Sequence, residues 1–81
     1  MKHAGEQALA SAEPLLEDLR TVPGLVERKH GVYYRGSRAF LHFHEDPSGL
    51  HADVRIGDDF ERMRVETEAE RAALLALVRS L

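Results

Sequence analysis

A chain of 81 residues, 43% hydrophobic and 31% charged, with a formal net charge of −3, has room for one domain and one core but not for a large enclosed active site. The mild negative charge provides no broad positive field, which disfavours nucleic acid and anionic membrane surfaces as partners. There is no cysteine, which excludes disulfides, thiolate nucleophiles and cysteine-ligated zinc or iron–sulfur centres. No apolar run approaches the ~20 residues of a membrane span, and the sequence reads as a soluble, cytoplasmic protein.

Leu9, Ala12, Leu15, Leu16 and Leu19 recur at helical spacing. Ser11 ahead of Ala12-Glu13-Pro14 suits a helix start, with the serine as cap and the proline in the first turn. The spacing predicts a helix over 12–20 that ends at Pro23-Gly24, with residues 1–10 frayed or weakly helical. From Leu25 to Val65 the period changes to two. Strands are predicted at Val26–Lys29, Val32–Arg35, Arg38–His44, Leu50–Ile56 and Glu61–Glu66, with turns at Gly36-Ser37, Asp46–Gly49 and Gly57-Asp58-Asp59. Thr67-Glu68-Ala69-Glu70 is a capping box, and Leu74, Leu77, Val78 and Leu81 form the apolar stripe of a closing helix.

Short connections make the sheet an antiparallel meander. The expected fold is a single α+β domain over residues 1–81: a two-layer sandwich with four or five strands and both helices on one face. Ala39, Leu41, Phe43, Leu50, Ala52, Val54 and Ile56 would face the helices. The opposite face is open and would carry Tyr33, Phe40, His42, His44, His51, Asp53 and Arg55.

The turn at Asp46–Gly49 sets a register of Glu45 against Leu50, His44 against His51, His42 against Asp53 and Phe40 against Arg55. Opposed residues have Cβ atoms about 4.5–5.5 Å apart. His42, His44 and His51 are thereby a candidate triangle for zinc or another divalent transition metal, with Asp53 orienting His42 from behind. His44 against His51 also predicts a coupled pair that resists double protonation. The plainer account is a solvated polar face that binds a protein partner, a second copy of the chain or a small ligand through Tyr33, Phe40, the histidines and Arg55, without a cofactor.

Arg28, Lys29, Arg35 and Arg38 with Tyr33 and Tyr34 could clamp single-stranded nucleic acid. Neighbouring acidic residues cancel that field, and a charged sheet edge explains the pattern better. No phosphate loop, nucleophile elbow or HExxH helix is present, and no catalytic residue is assigned. Metal-assisted hydrolysis would require the histidines to hold an ion.

Val22-Pro23-Gly24-Leu25-Val26-Glu27, Ala39-Phe40-Leu41-His42-Phe43-His44-Glu45-Asp46 and Leu50-His51-Ala52-Asp53-Val54-Arg55 resemble a group of small bacterial proteins of uncharacterised activity. The capped C-terminal helix fits the same pattern, and the likeness covers most of the chain. It implies no activity and no site residue. A more distant likeness is to the YjbR-like family, which also opens with a helix and a Pro-Gly link into strands and has been suggested to bind DNA through paired wings. This chain is shorter and acidic, and no functional residue carries over from that family.

Overall fold

The computed structural model describes residues 2–81. In chain order the elements are β1 (Lys2–His3), α1 (Glu6–Ser11), α2 (Glu13–Arg20), β2 (Leu25–Lys29), β3 (Val32–Arg35), β4 (Arg38–Asp46), β5 (Gly49–Ile56), β6 (Asp59–Arg64) and α3 (Glu68–Ser80). The strands β2-β3-β4-β5-β6 form an antiparallel meander in sequence order, and β1 pairs with β4 beyond the end of β3. Helices at both ends of the chain cover one face of this sheet, which gives the expected α+β sandwich.

One core joins the two layers. Leu15, Leu16 and Leu19 of α2 and Leu74 and Val78 of α3 meet Tyr33, Leu41, Phe43, Ala52 and Val54 of the sheet. The period-two alternation of β4 and β5 turns these residues toward the helices and leaves His42, His44, His51, Asp53 and Arg55 on the other side. The β4–β5 register pairs Glu45 with Leu50, His44 with His51 and His42 with Asp53, as the turn length predicted. The turn is tighter than expected: Asp46 pairs with Gly49, and the Asp46 carboxylate accepts hydrogen bonds from the Ser48 amide and hydroxyl.

Two parts of the N-terminal region differ from expectation. Residues expected to be frayed or weakly helical form the strand β1 and the short helix α1, with Leu9 buried beneath α1. Met1 lies outside the described residues. The apolar period runs unbroken through Ala12, but Pro14 offers no N–H to the preceding turn, and the helix divides there. Ser11 does not cap α2. Its hydroxyl donates back to the Ala8 carbonyl, and Ala12 stands at the cap without a side-chain bond.

The third difference is a β-bulge. Tyr34 pairs with Ala39, but Tyr33 pairs with Leu41, so Phe40 is the additional residue on β4. Phe40 and Tyr33 were expected on the open face. Instead both turn toward the helices, 5% and 0% exposed. The bulge buries an aromatic ring that strict alternation would have left in water, a gain of roughly 1.5–3 kcal/mol. Among the described residues no helix is long and apolar enough to cross a membrane.

Candidate functional site

The open face is built in rows that run across the strands. β1 pairs His3 with His44, and β5 pairs His51 with the same residue from the other side. In the next row His42 lies opposite Asp53, and Asp53 opposite Arg62 of β6. Beyond it Arg55 lies opposite Phe60.

His3, His42 and His44 come together, each offering a ring nitrogen within 4.8 Å of the others. The His3 and His44 rings stack with centroids 4.9 Å apart, and the His42 and His44 rings meet edge to face at 4.8 Å. His51 does not join them. Its Nδ1 donates to the carbonyl of Gly49 on its own strand, 3.2 Å away. The expected triangle of His42, His44 and His51 is therefore replaced by one with His3. Register placed His51 opposite His44 correctly, but its ring turns to the Gly49 carbonyl instead.

Asp53 organises the cluster. Its side chain is 10% exposed, and both of its oxygens accept from Arg62, Nε to Oδ1 at 2.7 Å and Nη2 to Oδ2 at 2.8 Å. This bidentate pair holds the carboxyl below its ordinary range against the opposing effect of burial. The same Oδ2 lies 3.1 Å from Nε2 of His44. An ionised carboxylate only accepts, so His44 Nε2 carries the proton. His42 Nδ1, 2.9 Å from that nitrogen, must then be a bare acceptor. Among the described residues, buried His44 Nδ1 has no hydrogen-bond partner. As a bare lone pair it costs little, whereas a buried N–H there would lack an acceptor. Asp53 therefore orients His44 rather than His42, contrary to the expected assignment. Burial foremost pushes the His42 imidazole below its ordinary value.

The open face has an aromatic, but it is Phe60 and not Phe40. Phe60 is 38% exposed, with its ring 5.0 Å from that of His42 and the Arg55 guanidinium 4.5 Å above it. The sequence signal for Phe60 was the alternation of Phe60, Arg62 and Arg64, which required starting the last strand at Asp59 rather than at Glu61. Of the four basic residues around the first hairpins, Arg28 stacks on Tyr34, while Arg35 lies over Phe40 on the helix side.

Comparison of the chain with protein-family models, with curated proteins and with solved structures finds no match.

Proposed function

We propose that this protein is a non-catalytic binding protein whose open sheet face takes a divalent transition-metal ion through His3, His42 and His44. The observation that carries this reading is the convergence of three ring nitrogens within 4.8 Å of one another. Three imidazoles suit zinc, cobalt, nickel or copper(II) and disfavour magnesium and calcium, which require oxygen donors. Metal–nitrogen bonds of 2.0–2.1 Å at tetrahedral angles require nitrogens about 3.3–3.4 Å apart. The His42–His44 contact of 2.9 Å would open by roughly half an ångström, which strand side chains accommodate by small χ changes. Ligation through His44 Nε2 would displace its proton, and Asp53, whose Oδ2 lies 3.1 Å from that nitrogen, would remain beside the cation as its counter-charge.

The site lies on a wide face, and the position opposite the imidazoles is open to water or to a donor from a partner. Phe60 and Arg55 beside it would contact such a partner. A cysteine-free chain suits a reducing compartment, and we assign the protein to the cytoplasm.

Calorimetry and amide NMR with Zn²⁺ and Ni²⁺ at pH 7 test the reading. One ion per chain is expected, with shifts concentrated at His3, His42 and His44. His42→Ala and His3→Ala should abolish stoichiometric binding, and Asp53→Asn should weaken it by about 10–100-fold. His51→Ala should bind as the parent does. Unsaturable shifts, or a loss in His51→Ala equal to that in His42→Ala, would overturn the assignment.

A further inference from the structure

The other end of the sheet carries a concentration of basic side chains. Two hairpin turns, at Gly36-Ser37 and Gly57-Asp58, meet there beside the end of α3. They enclose a cleft of about 290 Å³ whose walls include Arg35, Arg38 and Arg55, with Phe40, Gly57 and Leu81. The chain as a whole is negative at −3, so three guanidinium groups on one small cleft run against the overall balance.

None of these arginines has a close side-chain carboxylate. Arg35 donates from Nη1 to the Leu81 main-chain oxygen at 3.2 Å, and its guanidinium lies 4.3 Å above the Phe40 ring. Arg55 donates from Nε to the Ala39 carbonyl at 2.8 Å and from Nη1 to the Asp58 carbonyl at 3.4 Å, and lies over Phe60. Among the described residues, the one side-chain carboxylate within ion-pair reach of any of the three is Asp58, 3.9 Å from Arg38. That pair is 59% and 98% exposed, and an exposed pair at this distance contributes little.

The placement is also unfavourable to the fold. Arg35 and Arg38 are the closing pair of the β3–β4 hairpin, directly opposed in register. Like charges facing each other across an antiparallel pair destabilise a hairpin. A sequence shaped for stability alone would place opposite charges, a Thr pair or an aromatic pair there. The ring stacks and carbonyl bonds meanwhile fix two of the three guanidinium planes, so little side-chain entropy remains to be lost on binding an anion.

We propose that this cleft is a phosphoryl-binding site, in which Arg38 and the remaining donors of Arg35 and Arg55 hold the oxygens of a phosphate group. Guanidinium groups match phosphate oxygens in charge and planar geometry, and three lining one cleft suit phosphate recognition. The volume lies at the lower limit for small-molecule sites, enough for a phosphoryl group with a small substituent. The ligand is either free phosphate or a small phosphate monoester. The site shares Arg55 with the edge of the open face but uses none of the three histidines.

The test is an amide NMR titration of the full chain with inorganic phosphate and with phenyl phosphate at pH 7, at constant ionic strength maintained with sodium chloride. Saturable one-to-one shifts are expected at Gly36, Ser37, Arg38 and Gly57. Tighter binding of phenyl phosphate would assign the ester as ligand, and equal binding the free ion. Arg38→Gln should weaken binding about tenfold while the melting temperature stays level or rises, because the Arg35–Arg38 repulsion is relieved. Arg38→Lys, which keeps the charge and loses the fork, should fall between. Shifts that do not saturate, shifts unchanged in Arg38→Gln, or a melting temperature lowered by several degrees in that variant would each overturn the proposal.

Discussion

Tyr33 has its ring fully buried and its hydroxyl donating to the Leu16 carbonyl of α2 at 3.0 Å. Burial pushes the phenol well above its ordinary range, so it acts as a neutral donor at any working pH. Tyr33→Phe keeps the ring and removes the donor, and should cost about 1 kcal/mol in denaturant unfolding while leaving metal binding at the open face unchanged. A cost near zero would mean that water or another donor satisfies the Leu16 carbonyl. The sequence placed this residue on the wrong face for a definite reason. Alternation is a valid rule only while the register is continuous, and the bulge at Phe40 adds one residue that the pattern of polar and apolar letters does not mark. The histidine cluster was partly legible on similar grounds. His42 and His44 lie two apart on an unbroken strand, and their shared face follows from the period alone. His3 joins them only through a two-residue strand that returns from a distant part of the chain, and nothing local to Met1-Lys2-His3 announces that pairing.

At the level of elements, the most readable feature was the start of α3. A capping box is a local device: the Thr67 hydroxyl accepts from the Glu70 amide at 3.1 Å, and the Glu70 carboxylate accepts from the Thr67 amide at 3.0 Å. Four consecutive residues determine it, so the sequence alone is sufficient. The division between α1 and α2 was less readable because the same apolar period serves both helices, and only Pro14 separates them. Glu70 also accepts from the Glu66 amide and pairs with Arg64 at 3.0 Å. The Thr67 and Glu66 amides, with Arg64, hold its carboxyl down at about 2, against 4.5 for a free side chain. With the folded value below the unfolded one, the stabilisation is complete above about pH 4.5 and is lost as pH falls through about 2. Thr67→Ala should therefore cost about 1 kcal/mol at neutral pH. Glu70→Gln should flatten the acid limb of the stability curve between those two values. An acid limb unchanged in Glu70→Gln would place the proton uptake on other carboxylates.

Across the whole molecule, the N-terminal segment determines whether the open face is complete, because β1 carries His3. Backbone bonds from Ala4 to the Phe43 carbonyl and from Gly5 to the Glu45 carboxylate attach it to β4. A further tie comes from His30 in the β2–β3 turn. Its Nδ1 lies 2.7 Å from Glu6 of α1 and its Nε2 3.3 Å from Glu13 of α2. Glu13 is shared with Arg20, which also pairs with Glu27 of β2, so both helices are joined electrostatically to one corner of the sheet. Two carboxylates on one imidazole, Glu6 foremost, raise its proton affinity above that of a free histidine. A folded value above the unfolded 6.5 means that the stabilisation is fully present below that pH and is lost as pH rises through the folded value. Deprotonation leaves a neutral ring that can donate to only one of the two carboxylates, and α1, just six residues long, has little packing of its own to hold it. Hydrogen-exchange protection factors at Leu9 and Ala10, corrected for the intrinsic rate, should therefore fall across that pH range in the parent protein. In His30→Gln they should be low and level throughout. Protection that stays constant with pH in the parent would show that the backbone bonds of β1 hold the segment without the ion pairs, and that His30 only fills the corner.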